Sequence, residues 1–246
     1  MPAAPVAMKA GALAATVSRI VPEGTDARLV RLELPEGRRL DFRPGQFIEV
    51  GLPGSELPPR HYSIANPPQD ADAFEILFDR RGPLSEALFR LTGGETLRVR
   101  GPLGKWHYRD EDRRAALISS GTGAAPLRAM VRYALEKGLP NRLEVFYAAE
   151  TPGRLHFRRE MDEWAERGVG VHLCVTGPEA LWEDGEYWEG PRGPLSLETL
   201  RAALGSFGGT AFYMCGGGRL ISTLSGGLAK AGVPADALRL EPWGDY

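Results

Sequence analysis

The sequence predicts two domains, an antiparallel β-barrel followed by an α/β domain built on a parallel sheet. Three observations carry that expectation. The first half holds short apolar runs separated by Gly- and Pro-rich turns, the second half alternates apolar runs with helical windows, and a charged stretch lies between them. With 246 residues the chain has room for two domains of about 100 to 150 residues each. The stretch Arg109-Asp110-Glu111-Asp112-Arg113-Arg114 suits a linker, giving domains over residues 1–110 and 111–246.

In the first half, strands are expected over residues 15–20, 27–34, 47–51, 62–65, 74–78 and 96–100. Their separators, such as Leu34-Pro35-Glu36-Gly37 and Arg43-Pro44-Gly45-Gln46, are turn sequences. Strands at that spacing suit a small closed barrel. One helix over residues 84–91 interrupts them and stops at Gly93-Gly94. In the second half, strands over 115–119, 143–147, 171–175, 211–215 and 238–240 alternate with helices over 126–137, 157–167, 197–204 and 218–231. That rhythm predicts a parallel sheet with helices on both faces. The segment from Thr176 to Pro194 is long for such a unit, and either a loop over a site or an elaborated surface crossing explains it.

Composition narrows the function. Hydrophobic residues make up 43% and charged residues 25%, near the globular average, which argues against disorder and against a membrane protein. The net charge is −2 with acids and bases interleaved, so no basic stripe for nucleic acid stands out. Two cysteines are too few for a disulfide framework and fewer than the four thiolates an iron–sulfur cluster commonly takes. Electron chemistry within this chain therefore calls for an organic cofactor. The four histidines lack metal-ligand spacing, so no metal is expected. The Ala-rich start, broken by Lys9, lacks a basic signal region and is read as a loose lead-in to a strand. No apolar run approaches a membrane span, and a cytoplasmic protein is expected.

The segment Arg60-His61-Tyr62-Ser63 gathers a guanidinium, an aromatic ring and a hydroxyl on one short strand. A strand sends alternate side chains to the same face, so Arg60 and Tyr62 can address one ligand. The set suits a flavin: guanidinium for a phosphate, phenol against the flat ring, hydroxyl for a ring nitrogen. A strand end closed by Pro67-Pro68, with Arg60 solvated, accounts for the same residues. Ser119-Ser120-Gly121-Thr122-Gly123-Ala124-Ala125-Pro126 lies where a strand gives way to a helix. Glycines there admit a phosphate, Pro126 fits the first turn, and the helix N-terminus offers unpaired amides. Cys215-Gly216-Gly217-Gly218 occupies the equivalent place on the fourth strand of that sheet, at the edge where α/β ligands bind, although a small buried residue would also be at home there. Gly82-Pro83-Leu84-Ser85 opens the barrel helix as a second phosphate cradle, or as a turn capped by Ser85. Gly101-Pro102-Leu103-Gly104 closes the last barrel strand.

Taken in order from about Val17 onward, these five motifs resemble the ferredoxin-NADP reductase superfamily. The resemblance implies a flavin-binding barrel, a pyridine-nucleotide-binding domain, FAD rather than FMN, and NADPH or NADH as electron donor. It implies that Arg60 binds the flavin phosphate, Tyr62 stacks on the ring and Ser63 bonds near N5. Gly82, Leu84 and Ser85 would meet the flavin pyrophosphate. Gly121, Thr122, Gly123 and Pro126 would receive the pyrophosphate and nicotinamide of the donor, with Cys215 and Gly216 beside nicotinamide C4. Glu241 matches a family carboxylate near both rings, so Ser63, Cys215 and Glu241 are the expected catalytic residues.

Three features depart from the family pattern. Gly217 stands where many members have Pro, and the shielding terminal aromatic falls to Trp243 or Tyr246. Glu150 stands where NADP-specific relatives tend to show a Ser-Arg pair; a carboxylate there favours a ribose hydroxyl, while Arg154 is near enough to reverse the preference. The implied partner is an electron carrier such as ferredoxin or flavodoxin, or an oxygenase component. A reductase of free flavin and a non-catalytic electron-relay subunit are the rival functions. Arg98, Arg100, Lys105, Arg109, Arg113 and Arg114 either greet an acidic carrier or form a solvated barrel edge.

Overall fold

A computed structural model describes residues 11–178 and 187–243, with backbone alone at 242 and 243. The first half forms strands β1 (Leu13–Glu23), β2 (Ala27–Glu33), β3 (Phe47–Gly51), β4 (Arg60–Ser63), β5 (Ala73–Asp79) and β6 (Thr96–Leu103), with helix α1 (Pro83–Leu88) before β6. They make one antiparallel sheet in the order β4-β3-β6-β1-β2-β5. The sheet curls until its edges meet: Ile64 bridges Ile76, and the Ala65 amide donates to the Glu75 carbonyl at 2.8 Å. Inward positions alternate as the pleat requires, so Val30 and Leu32 of β2 stand opposite Ile76 and Phe74 of β5 and fill the barrel with Ile48, Val50 and Val99.

The second half is a five-stranded parallel sheet in the order β11-β10-β7-β8-β9. Its strands are β7 (Arg114–Ser120), β8 (Arg142–Ala149), β9 (Gly170–Val175), β10 (Ala211–Gly217) and β11 (Leu238–Trp243). Both faces are covered. Ala115 and Leu117 of β7 pack under α2 (Ala124–Lys137) and α3 (Arg158–Glu166), while Ala116 and Ile118 pack under α4 (Leu197–Leu204) and α5 (Gly218–Lys230). This double burial explains why the strands read as continuous apolar runs rather than alternating ones.

The layers do not end at the linker. Ala27, Leu29 and Leu77 on the outside of the barrel share one buried cluster with Ala125, Leu155 and Phe157 of the second domain. Polar groups close the same seam: the Thr25 amide donates to the Gly153 carbonyl at 2.8 Å, and the Phe157 amide donates to Glu23 Oε1 at 2.6 Å. The first bond requires Gly24, where a Cβ would lie 2.3 Å from that carbonyl. The seam places the C-terminal ends of β7, β8 and β10 against the barrel wall that carries β4.

Most expected elements differ at their ends, β1 for example running Leu13–Glu23 where 15–20 is expected, and two of the differences have a clear local cause. The strand expected over 62–65 is Arg60–Ser63, because Ile64 leaves the β3 ladder to bridge β5. The helix expected over 84–91 is Pro83–Leu88, opened by Gly82 at φ 106°. The first ten residues and Glu179 to Glu186, within the long segment read above, lie outside the described residues, as do Tyr246 and the side chain of Trp243.

Candidate functional site

Between the barrel and the sheet runs a cleft of about 1380 Å³. One wall is barrel: Arg60, Tyr62 and Ser63 of β4, with Leu84 and Ser85 of α1. The other is the sheet edge: Gly121 and Thr122 after β7, Ala148 to Glu150 at the end of β8, and Gly217 after β10. Glu241 of β11 reaches the same space. Residues as far apart in the chain as Arg60 and Glu241 thus share one cleft, because the sheet contributes the C-terminal ends of its strands and the barrel contributes β4 and the start of α1.

On the barrel wall, β4 pairs with β3 so that Ser63 stands opposite Phe47 and Tyr62 opposite Ile48. Tyr62 is half-buried with its ring edge-on to Phe78 at 5.8 Å, and burial pushes its phenol up to about 12. A neutral aromatic plate therefore lies in the cleft wall. Beside it, α1 begins with Pro83, and its first internal bond runs from the Glu86 amide to the Gly82 carbonyl at 3.0 Å. The amides of Leu84 and Ser85 are left at the open helix end without a helical acceptor. Ser85 is not a simple cap: its hydroxyl donates to the Gly82 carbonyl at 3.1 Å and accepts from the Arg81 amide at 2.8 Å, fixing the turn before the helix.

On the sheet wall, Gly121 and Gly123 do different work. Gly121 has φ +55° with open space where a side chain would begin. Gly123 is needed for packing, since a Cβ would sit 2.7 Å from the Cys215 carbonyl. Pro126, Gly123 and Gly216 are buried and absent from the cleft lining; Gly82 is exposed and is also absent from it. Gly216 has φ +136° and lets β10 pass Ser120. Cys215 itself is 0% exposed and does not line the cleft. Burial, with the Glu241 carboxylate beside it, raises the thiol's pKa well above its ordinary value, so it is a neutral packing group here rather than a nucleophile. Burial likewise raises the Glu241 carboxyl.

Two residues in or behind the cleft walls, His156 and Tyr147, carried no local signal. His156 is 2% exposed, lies 4.0 Å from Asp26 across the seam, and its Nδ1 has no partner. Tyr147, fully buried, sets its hydroxyl between the carbonyls of Gly121 at 3.0 Å and Arg154 at 3.2 Å, tying the β7 turn to the segment after β8. Arg154 is held by Glu150 at 2.7 Å and by Asp26 at 3.2 Å. The far end of the long segment, Pro194 to Leu197, lines the cleft, whereas Trp188 is buried against Pro191. Arg219, at the start of α5, also lines it.

Chemically, the cleft offers an aromatic plate, first-turn amides, an arginine and a hydroxyl on one wall, and a Gly-rich turn at a helix start on the other. These groups suit two flat, phosphate-bearing ligands laid toward each other.

Comparison with known proteins agrees with that partition. Residues 14–108 match the oxidoreductase FAD-binding domain model and residues 117–225 the oxidoreductase NAD-binding domain model. Ferredoxin–NADP reductase B of Sorangium cellulosum is 31% identical over 227 residues, which cover 87% of this chain and 90% of that protein. The ferredoxin–NAD(P)(+) reductase component of the naphthalene 1,2-dioxygenase/salicylate 5-hydroxylase systems of a Ralstonia species is 29% identical over 89% of this chain and 65% of that protein. In fold, the FAD/NAD-binding domain of a nitric oxide dioxygenase from Vibrio cholerae superposes with a TM-score of 0.82 at 22% identity, covering 94% of this chain and 98% of that one.

Proposed function

Because the chain belongs to the ferredoxin-NADP reductase superfamily, we propose that it is a flavin-dependent NAD(P)H oxidoreductase that delivers electrons to a ferredoxin, a flavodoxin or an oxygenase component. The carrying observation is the cleft in which Tyr62 and Ser63 face the Gly121 turn. FAD held there by Arg60, Tyr62, Ser63 and the start of α1 would supply the hydride-accepting and electron-releasing chemistry. The rest of the work is the protein's. Arg60 offers a planar fork to phosphate and the α1 amides add partial positive charge. Tyr62 supplies a face for a flat ring, and Ser63 a hydroxyl at its edge. The Gly121 turn, with no Cβ in the way, lets the α2 end of the second domain approach a pyrophosphate. The seam holds both walls in register and turns an encounter into an intramolecular step. Glu241, its carboxyl raised by burial, provides a polar group where the two ligands meet. Since Arg154 is already engaged by two carboxylates, Glu150 and Asp26, a 2′-phosphate finds no unclaimed cation in it; this supports NADH as the preferred donor. A cytoplasmic site of action belongs to the same reading, since the donor is held there.

Two substitutions test the roles. Ser63→Ala is expected to keep flavin bound and to slow its reduction about tenfold or more in anaerobic stopped-flow, in line with loss of one positioned polar group; an unaltered rate refutes the role of Ser63. Arg60→Ala is expected to shed flavin on gel filtration, and full retention counts against the phosphate assignment.

A further inference from the structure

Arg128 stands outside every motif above, yet it is the most enclosed cation at the seam, 6% exposed. It lies on α2, about one turn beyond Ala125, which lines the cleft with Gly121 and Thr122. Its Nη1 reaches across to the barrel, donating to the Ala65 carbonyl at 2.9 Å and to Glu75 Oε2 at 2.5 Å. Its Nε remains within the second domain, on Glu160 of α3 at 2.8 and 2.9 Å. The guanidinium also lies over the Phe157 ring at 5.0 Å.

The barrel side of this contact is rigid. Ala65 is two residues beyond Ser63, and its own amide closes the barrel on Glu75. The next residue, Asn66, is 0% exposed and donates to the carbonyls of Asp70 at 2.7 Å and Ala73 at 3.0 Å while accepting from the Glu75 amide at 2.7 Å. Both ends of the contact are therefore short, stiff extensions of cleft walls. On one side about 4.5 Å of helix leads from Arg128 to Ala125; on the other about 7 Å of extended chain leads from Ala65 to Ser63.

Stability gives no sufficient reason for such a cluster. Removing a guanidinium and a carboxylate from water costs several kcal/mol each, and an apolar pair of similar volume often does as well or better. What an apolar pair lacks is direction: bonds to one carbonyl and to two carboxylates on different elements define a single relative placement. Arg132, 3.7 Å from Glu75, and Arg31, 3.9 Å from it, balance the charge without touching Ala65.

We propose that Arg128 is a positioning residue, a fastener between α2 and the Ala65–Glu75 closure that sets the distance between the Gly121 turn and Ser63, and so between the two ligands. The proposal rests on the function assigned above. It separates interdomain contacts, through Ala65 and Glu75, from the contact with Glu160, which lies inside one domain.

The test is anaerobic stopped-flow reduction of the flavin-loaded full chain by NADH, and in parallel by NADPH, in wild type, Arg128→Lys, Glu75→Gln and Glu160→Gln. Arg128→Lys and Glu75→Gln are expected to retain flavin and to bind nucleotide within about twofold of wild type. Their limiting reduction rate should fall about 10- to 100-fold, the loss that follows a misplacement of about 1 Å. The long-wavelength absorbance of the stacked nicotinamide–flavin pair should weaken with it, a signature that lower stability alone does not move. Glu160→Gln should lose distinctly less. If Arg128→Lys does not fold, Glu75→Gln, which keeps shape and a hydrogen-bonding group, carries the decision. Folded, flavinated variants with wild-type rate and long-wavelength band would overturn the proposal, as would equal losses in Glu75→Gln and Glu160→Gln. A wild type that holds flavin and is bleached by neither nucleotide overturns the functional reading, and Arg128's role with it.

Discussion

His156 shows how a single residue records the seam in its protonation. It is buried between domains, and desolvation holds its pKa down to about 4 from an ordinary 6.5. The unfolded chain therefore binds the proton first as pH falls, and stability drops between about pH 6.5 and pH 4; above that window the neutral ring makes no pH-dependent contribution. The loss amounts to about 3 kcal/mol at the acid end. Denaturant unfolding at a series of pH values should show that His156→Gln flattens this part of the profile, and identical slopes in the two proteins would contradict it. Nothing near position 156 in the sequence announces this, because what buries the ring is Gly24 and Asp26, more than a hundred residues earlier. Arg128 is hidden for the same reason: Ala65 and Glu75 are remote in sequence, and an arginine in a helix reads as solvated. Arg60, Tyr62 and Ser63 are legible because three chemically unlike groups share one four-residue strand.

At the scale of elements, the sequence pattern finds each barrel strand but not always its length: β1, paired on both sides, runs Leu13–Glu23 where 15–20 is expected. The expected strand over 47–51 coincides with β3, which is paired to β4 and β6. It is less informative where tertiary contacts set the ends. α3 starts only after Phe157, held at φ 59° with its amide on Glu23 of the barrel, and no local cap marks that point. The turn between β7 and α2 reads as one Gly-x-Gly motif, yet its two glycines answer different demands. Gly121→Ala puts a side chain into open space at a left-handed φ and should cost about 1 kcal/mol. Gly123→Ala drives a methyl against the Cys215 carbonyl and should cost about 2 to 3 kcal/mol by forcing β10 and α2 apart. Urea midpoints of the two variants test the order; equal midpoints, or a larger loss at Gly121, would contradict the packing role.

At the scale of the molecule, the order of motifs gives the architecture, and the seam supplies what order cannot. Periodicity separates the two halves, since most barrel strands bury alternate residues while the central strands of the parallel sheet are buried along their length; β5 of the barrel is the exception, buried at six consecutive positions because its outer face packs on the second domain. Periodicity does not say how the two halves lean on each other. That is settled by Leu29 and Leu77 packing on Leu155 and Phe157, by Thr25 on Gly153, and by Arg128 on Ala65. The resulting cleft is the basis of the functional account, in which the barrel holds a flavin and the sheet presents a reduced nicotinamide to it. The direct measurement is anaerobic titration of the purified, flavin-loaded protein with NADH and with NADPH while the visible spectrum is recorded. The flavin absorbance is expected to bleach stoichiometrically, more readily with NADH. A flavin that remains oxidised in the presence of an excess of both nucleotides would contradict it.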